Sequence, residues 1–259
     1  MEIIETGRIR DCFTRALSSY GKNAGAQHDI SHRLASLLPR RPDIRYRRML
    51  EIGCGTGGFT RALKQRCSID EWVLNDLCEN CMEKISRIFP EMPPQFIAGD
   101  AETTVFPGRF DLIASASVFQ WIRDPETFFH KLSGLLIPHG ALLFSTFTPG
   151  NLHEIKELTG KGLTYPSPAD LTRWLSADFT LRHCREEEIT LTFDTPLHVL
   201  KHLKATGVTA TGGGFWTKGM QETFCKQYIQ RFSTTDHQVT LTYRPLYVRA
   251  VKKETTHGK

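Results

Sequence analysis

A glycine-rich turn between an apolar strand and a helix is the feature that most narrows the folds open to this chain. The turn reads Glu-Ile-Gly-Cys-Gly-Thr-Gly over residues 51–57, between a strand-like run from residue 47 and a helical segment at 59–64. Glycines at such a place let the backbone turn sharply and approach a bound nucleotide closely. The run departs from G-x-G-x-x-G, the spacing that binds a pyrophosphate, and it begins with an acid. That acid favours a cationic or amine-bearing ligand over a pyrophosphate.

Strand-like and helical segments alternate through residues 48–147, which predicts a mostly parallel sheet with helices on both faces. The predicted strands lie at 47–55, 72–76, 95–100, 110–117 and 141–147, with helices near 59–64, 79–89 and 127–137. We therefore expect a doubly wound α/β fold.

The segments that flank this core have a different pattern. Residues 8–38 predict helices interrupted at Gly21 and Gly25, and residues 151–177 predict helices broken by prolines. Further on, the pattern predicts a long strand or a strand pair at 179–193, helices at 196–206 and 217–231 with a loop between them, and two strands at 238–253. The last two strands meet near Pro245, and we expect them to close the sheet edge as a hairpin.

Composition places the chain among globular proteins. Of its 259 residues, 40% are hydrophobic and 24% are charged, which is enough apolar material for a real core. No apolar run approaches the roughly 18 residues of a membrane helix. The seven cysteines have no spacing typical of a secreted disulfide framework. We expect a cytoplasmic protein with reduced thiols, no membrane partner and one domain, although two domains are compatible with this length.

The positive charge is concentrated at one end of the chain. Residues 199–259 hold ten Lys/Arg against three Asp/Glu, while the whole chain has a net charge of +5. Such a segregated excess favours an acidic partner, which leaves nucleic acid, an anionic metabolite and an acidic protein open.

Three acids follow three successive predicted strands. Glu51 lies at the end of the first, Asp76 ends the second and Asp100 ends the third. Open α/β sheets bind ligands at the carboxyl ends of their strands, so we expect all three at one crevice. Asp76 is suited to accept ribose hydroxyls, and Asp100 an exocyclic amine of adenine. Any one of them alone would more often cap a helix or a loop.

These residues resemble the class I S-adenosylmethionine-dependent methyltransferases over roughly residues 45–147. The resemblance implies a Rossmann-like methyltransferase sheet, here with an N-terminal helical cap and a C-terminal helical lid insertion. It also implies that the glycine turn passes the methionine end of the cofactor, S-adenosyl-L-methionine. The residues assigned to the cofactor are Gln27, Glu51, Gly53, Cys54, Gly55, Gly57, Asp76, Leu77, Asp100, Ala101, Glu102 and Ser115.

Further stretches are similar to the malonyl-acyl-carrier-protein O-methyltransferases of biotin synthesis. They lie at 12–16 with Tyr20 and Gln27, at 115–121, at 144–154, at 200–207 and at 241–247. Ala116 stands where related proteins often have Asn, Asp76 is not followed by the usual Ser-Pro, and the loop after Gly207 does not align. We therefore expect a single domain with four parts. They are a cap at 1–47, a cofactor-binding core at 48–147, a lid and carrier-docking region at 151–235 and final strands at 236–259.

The resemblance implies methyl transfer to the free carboxylate of a malonyl thioester. A carboxylate is already ionised at neutral pH, so the reaction needs no general base, and we expect positioning and desolvation to dominate. We assign catalytic roles to Tyr20, which would close over the methyl donor, and to Arg244, which would hold the carboxylate. Arg173 and Arg15 are the other candidates for that cation, because a guanidinium matches a carboxylate in a bidentate way.

An acidic acyl carrier protein fits the basic end of the chain, because opposite charge raises the rate of encounter. RNA is the rival acidic partner, but no nucleic-acid module or interleaved aromatic platform is visible, so we expect no nucleic-acid partner. Two alternatives remain: a methyltransferase of a small free carboxylic acid, of the trans-aconitate type, and a non-catalytic binding protein. Cys78-x-x-Cys81 has no second pair at zinc spacing, so we expect structural thiols and no metal. The residues assigned to substrate and carrier are Gln120, Trp121, Arg173, Lys201 and Lys204.

Overall fold

The computed structural model describes residues 5–17, 19–40, 44–207 and 217–254. Its elements follow one another in this order: α1 Thr6–Ala16, α2 Tyr20–Asn23, α3 Gly25–Ser36, β1 Arg45–Ile52, α4 Gly58–Arg66, β2 Ser68–Asp76, α5 Cys81–Ser86, β3 Gln95–Ala98, β4 Phe110–Ala116, a short 3-10 helix Phe119–Trp121, α6 Pro125–Leu135, β5 Leu136–Phe147, α7 His153–Thr159, α8 Pro168–Leu175, β6 Phe179–Glu186, β7 Ile189–Phe193, α9 Pro196–Ala205, α10 Lys218–Phe232, β8 Val239–Tyr243 and β9 Pro245–Lys252.

A seven-stranded sheet runs through the centre of the molecule in the order β3-β2-β1-β4-β5-β9-β6. The strands β1 to β5 are parallel, and β9 is antiparallel to both β5 and β6. This is the doubly wound, mostly parallel α/β sheet that the sequence predicts. Strands β7 and β8 pair separately as a two-stranded antiparallel sheet.

Both faces of the sheet are covered. Along β1, Met49 belongs to one apolar cluster and the next residue, Leu50, belongs to the other. The same alternation occurs at Leu112 and Ile113 in β4. Because successive side chains of a strand point to opposite faces, two adjacent apolar residues show that helices pack on each side.

The predicted C-terminal hairpin is wrong. Strands β8 and β9 do meet at Pro245, but β9 is inserted between β5 and β6, while β8 pairs with β7. Five of the first six residues of β9 are buried, whereas most of β6 alternates between buried or half-buried and exposed residues. A strand buried on both faces belongs inside a sheet, so β6 takes the edge instead.

Several boundaries also differ from the predicted ones. Helix α6 ends at Leu135 and β5 begins at the next residue. Residues 137–140 form an irregularity within β5, because Phe110 of β4 pairs with Leu136 and Leu112 pairs with Ala141. Gly21 lies inside α2 rather than at a break, whereas Gly25 begins α3. Segment 179–193 is a strand pair whose members join different sheets. The predicted loop between α9 and α10 lies outside the described residues.

Candidate active site

The glycine turn forms the floor of a cleft at the carboxyl ends of the strands. The backbone N–H groups of Gly53 and Cys54 both donate to the Asn75 carbonyl, at 2.8 and 3.0 Å, which fixes the turn against the end of β2. Gly53 has φ of +71°, and a Cβ there would collide with the Val118 side chain. Only glycine provides both the left-handed backbone and the close approach that this position needs.

Asp76 orders the loop that follows β2. One oxygen accepts the Gly55 N–H at 2.8 Å, and the other accepts the Cys78 N–H at 2.8 Å. Burial raises the pKa of Asp76, and these backbone donors oppose that rise. The carboxylate is therefore held rigidly at the cleft wall between the glycine turn and α5.

Glu51 lies beneath the turn, with an exposed fraction of 1%, and it is not among the residues that line the cleft. Its Oε2 accepts the Thr60 hydroxyl at 2.8 Å, and its Oε1 has no hydrogen-bond partner in the described part of the chain. Burial raises the pKa of Glu51 to about 8, so the carboxyl is mostly protonated at neutral pH. A positive charge bound in the cleft would favour its ionised form.

Asp100 and Glu102 are joined by an arginine that sequence reasoning missed. Arg123 pairs with Asp100 Oδ2 at 2.9 Å and with Glu102 Oε2 at 2.8 Å. Asp100 Oδ2 also accepts the Thr6 hydroxyl at 3.3 Å, which ties α1 to this side of the cleft. An isolated arginine in a loop has no spacing signal, so only the fold shows that it reaches the two acids.

The N-terminal helices cover the cleft. Tyr20 and Gln27 both line it, and Gln27 Oε1 is buried without a partner among the described residues. Burial, with a contribution from the Asp76 carboxylate, raises the pKa of Tyr20 to about 12. The phenol therefore keeps its proton at all physiological pH values and acts as a neutral group.

Ser117 lines the cleft, and the sequence did not indicate it. It follows β4 with φ of +58°, and its hydroxyl has no partner in the described residues. The predicted Ser115 lies two residues earlier, fully buried, and donates its hydroxyl to the Ile52 carbonyl at 2.8 Å. Strained backbone held at a cleft is typical of binding sites.

Most of the residues assigned to the cofactor come together around this cleft. Glu51, Gly57 and Ser115 lie behind its surface, and Gly57 directly precedes α4, where it packs against the Ile88 side chain. The assigned residues that do line it are Gln27, Gly53, Cys54, Gly55, Asp76, Leu77, Asp100, Ala101 and Glu102.

A second cavity adjoins the cleft and shares Ile9, Trp121 and Ile122 with it. Gln120 and Thr146 belong to its wall. Trp121 Nε1, Thr146 Oγ1 and Gln120 Oε1 are buried with no partner in the described chain. Buried polar atoms normally have partners, so these point to a ligand.

The three arginines assigned to the carboxylate line neither space. Arg244 pairs with Glu186 at 3.0 Å and faces Glu188, Arg173 pairs with Asp170 at 3.2 Å, and Arg15 donates to the Asp11 carbonyl at 3.0 Å. The structure thus places each of them in a contact of its own, away from the cleft.

A third cavity lies between α7, α9 and α10. It shares Gly162, Leu163 and Tyr165 with the second cavity, so the three cavities are neighbours in a series. Exposed lysines line its mouth: Lys156, Lys161 and Lys204. Lys201 is exposed one helical turn before Lys204 on α9 but does not line the cavity.

Among the described residues, no helix is long and apolar enough to cross a bilayer, and no group of three or more His, Cys, Asp or Glu residues is arranged to hold a metal ion.

Comparison with known proteins agrees with this geometry. A family model described as a methyltransferase domain matches residues 50–144, which contain the glycine turn and the three strand-end acids. Among solved structures, the YcgJ protein of Bacillus subtilis has a TM-score of 0.63 at 14% identity over 86% of this chain and 100% of its own. The N-methyltransferase NodS of Bradyrhizobium japonicum, solved with S-adenosyl-L-homocysteine, has a TM-score of 0.50 at 16% identity over 88% of this chain and 87% of its own. At such identities the likeness shows the fold.

Sequence relatives are much closer. A malonyl-[acyl-carrier protein] O-methyltransferase of Porphyromonas gingivalis is 50% identical over 240 residues, covering 92% of each chain. The protein of the same name from Haemophilus ducreyi is 40% identical over 245 residues, covering 93% of this chain and 95% of its own. The chain therefore belongs to the malonyl-[acyl-carrier protein] O-methyltransferase family of S-adenosylmethionine-dependent enzymes.

Proposed function

We propose that this protein methylates the free carboxylate of a malonyl group carried by acyl carrier protein, with S-adenosyl-L-methionine as methyl donor. The series of three cavities is the observation that carries the proposal. The third cavity, lined by Lys156, Lys161 and Lys204, adjoins the second cavity, and the second adjoins the cofactor cleft. A substrate tethered to a large acidic protein by a long arm needs such a route, whereas a small free acid does not.

The residues of the cleft fit the cofactor. The Asp76 carboxylate suits ribose hydroxyls, Asp100 with Arg123 suits the adenine edge, and the unpartnered Gln27 Oε1 suits the amine of the methionine end. At Gly55, where a Cβ would have nothing within 4 Å, the open turn lets the ligand approach the backbone. When bound, the cofactor supplies a methyl group activated by a sulfonium centre.

The residues best placed to hold the malonyl carboxylate are Trp121 and Thr146. Each has a buried donor, Nε1–H and Oγ1–H, that lacks a partner in the described chain and belongs to the wall of the second cavity. Two neutral donors orient a carboxylate without an ion pair that would lower its nucleophilicity. We propose these two donors in place of Arg244, which lines neither cavity and pairs with Glu186.

The surrounding residues exclude water from the reacting groups. Ile9 and Ile122 border both the cleft and the second cavity, and Phe13 packs edge-to-face on Trp121 with ring centroids 5.8 Å apart. The neutral Tyr20 covers the same space from α2. Loss of hydration makes the carboxylate more reactive toward a cationic centre, which is the main contribution we assign to this chain.

The carrier is proposed to dock on the lid around the third cavity. Lys156 and Lys204 stand at its mouth, and Lys201 extends the positive surface along α9. An acidic carrier would be steered to this face by opposite charge. Its arm would then pass Leu163 and Tyr165 to reach the second cavity.

The test is a pair of tryptophan substitutions in one cavity. Trp121→Phe removes the unpartnered Nε1–H, and we expect kcat/KM for malonyl-acyl carrier protein to fall by about tenfold or more, as for a lost hydrogen bond to a charged group. Trp174→Phe makes the same change in the same cavity. Equal losses in the two variants would reject the carboxylate role of Trp121. Cofactor affinity measured by calorimetry separates this loss from damage to the cleft.

A further inference from the structure

The Cys78-x-x-Cys81 motif, which the function does not use, forms a closed turn at the edge of the cofactor cleft. The Cys81 N–H donates to the Cys78 carbonyl at 3.0 Å, so the two cysteines are the first and fourth residues of a hydrogen-bonded turn. The Cα atoms at the ends of such a turn lie within about 7 Å, and disulfides span about 4.4–6.8 Å between Cα atoms. The backbone is therefore already close to the geometry of a disulfide.

The two thiols differ in acidity. The Cys81 S–H donates to Cys78, which lowers the pKa of the Cys78 thiol, and the Thr14 hydroxyl, which donates to Cys78 Sγ at 3.3 Å, adds to that effect against burial. The same interaction, together with burial, raises the pKa of Cys81. Cys78 is thus the nucleophile of the pair, with a partner thiol beside it.

Both thiols line the cofactor cleft but are otherwise enclosed, with exposed fractions of 3% for Cys78 and 1% for Cys81. Asp76 lies next to them and accepts the Cys78 N–H at 2.8 Å, and both thiols oppose the rise that burial causes in the pKa of its carboxyl. A small reagent in the cleft can reach the thiols, and a bound cofactor would stand in its way.

We propose that Cys78 and Cys81 are a modification site: a dithiol, shielded by the bound cofactor, that hydrogen peroxide converts to a disulfide, and that the disulfide lowers the affinity of the cleft for S-adenosylmethionine. The Cys78 thiolate attacks one peroxide oxygen and the O–O bond breaks, giving a sulfenic acid and hydroxide. The Cys81 sulfur then attacks the sulfenic sulfur, the S–S bond forms and the oxygen leaves as water. Overall, two thiols and one peroxide give one disulfide and two waters.

The affinity falls because the disulfide removes what the thiols do for the cleft. The two thiols favour the ionised form of Asp76, and a disulfide, which has no S–H, removes that support for the carboxylate that would bind the ribose. Cys78 Sγ also ceases to donate to the Arg10 carbonyl, a contact of 3.5 Å, and becomes a poorer acceptor for Thr14. Those two contacts hold α1 over the cleft, so both the floor and the cover of the site are affected.

The test treats the full chain with hydrogen peroxide, with and without S-adenosylhomocysteine, and maps disulfides by mass spectrometry of peptides. We expect a Cys78–Cys81 linkage and a mass lower by two hydrogen atoms, formed more slowly with the nucleoside present. Calorimetry should show S-adenosylmethionine affinity at least about tenfold lower after oxidation, as expected for weakened hydrogen bonds to a charged group, and restored by dithiothreitol.

Two variants make the result decisive. In Cys81→Ser the linkage cannot form, so the reversible loss of affinity on oxidation should disappear, each variant being compared with its own reduced form. Cys184→Ser removes an exposed cysteine on β6 and should behave as the parent protein. A linkage through Cys54 instead, or a Cys78–Cys81 disulfide with unchanged affinity, would overturn the proposal. The inference rests on the proposed cofactor cleft, and the affinity of the reduced protein, measured alongside, tests that cleft separately.

Discussion

At the scale of single residues, the protonation of Glu51 links cofactor affinity to pH. Burial raises its pKa to about 8, so at pH 7 the free protein holds a proton there that a cation in the cleft would displace. Below pH 8, binding must therefore release a proton, and affinity should rise with pH and level off above about 8. Calorimetry in buffers of different ionisation enthalpy measures the proton released.

Glu51→Gln provides the control for that prediction. The amide is neutral at every pH, so the variant should lose this proton release and the part of the pH dependence that Glu51 causes. Titration of the ligand's own amine contributes equally to both proteins and cancels in the difference between them. Identical proton release in the two proteins would mean that Glu51 does not titrate on binding.

The sequence predicts some of these site residues and not others, for a physical reason. Asp76 and Asp100 end parallel strands, and strand ends meet at one edge, so their place follows from the pattern of strands. Thr146 and Arg123 belong to no spacing pattern, and their roles come from neighbours distant in sequence. The pairing of Arg244 with Glu186 could not be predicted either, because it depends on how β6 and β9 pack.

At the scale of elements, the loop after β1 predicts a difference between two glycines. Gly53 and Gly55 both have positive φ, but a Cβ at Gly53 would strike Val118, whereas one at Gly55 has nothing within 4 Å. Alanine at either position costs about 1–2 kcal/mol of stability from backbone strain. Gly53→Ala should cost roughly 1–3 kcal/mol more from overpacking. Urea unfolding of the two variants without cofactor measures the difference, and equal losses would contradict the role of Val118.

The order of strands shows what local pattern can and cannot establish. The alternation of strand and helix over residues 48–147 predicts the parallel core because each crossover is local. The two strands at 238–253 are equally visible in the sequence, yet their pairing with β5, β6 and β7 is not. Adjacent strands joined at Pro245 suggest a hairpin, and only the burial of β9 on both faces decides against it.

At the scale of the whole molecule, the basic face of the lid should control association with the carrier. Lys204→Glu reverses a charge at the third cavity, and Arg40→Glu makes a matched change at an exposed arginine that follows α3 and lines none of the three cavities. Lost steering should lower kcat/KM for malonyl-acyl carrier protein by about fivefold at low salt for Lys204→Glu, and by less as salt increases. Arg40→Glu should have little effect.

A substrate without the carrier separates docking from chemistry. Malonyl-pantetheine has neither the acidic protein nor a phosphate, so Lys204→Glu should leave its methylation nearly unchanged. The double variant Lys201→Glu/Lys204→Glu should deepen the loss with the carrier only. A parallel loss with both substrates would place these lysines in folding or catalysis rather than in docking.

The most direct measurement is the intact mass of malonyl-acyl carrier protein after incubation with this protein and S-adenosylmethionine, with free malonate treated in the same way. We predict a gain of one methyl group on the carrier-bound malonyl group, removable by mild ester hydrolysis, and little product from free malonate. An unchanged carrier in the presence of protein that binds the cofactor normally would contradict the proposed substrate while leaving the cofactor site intact.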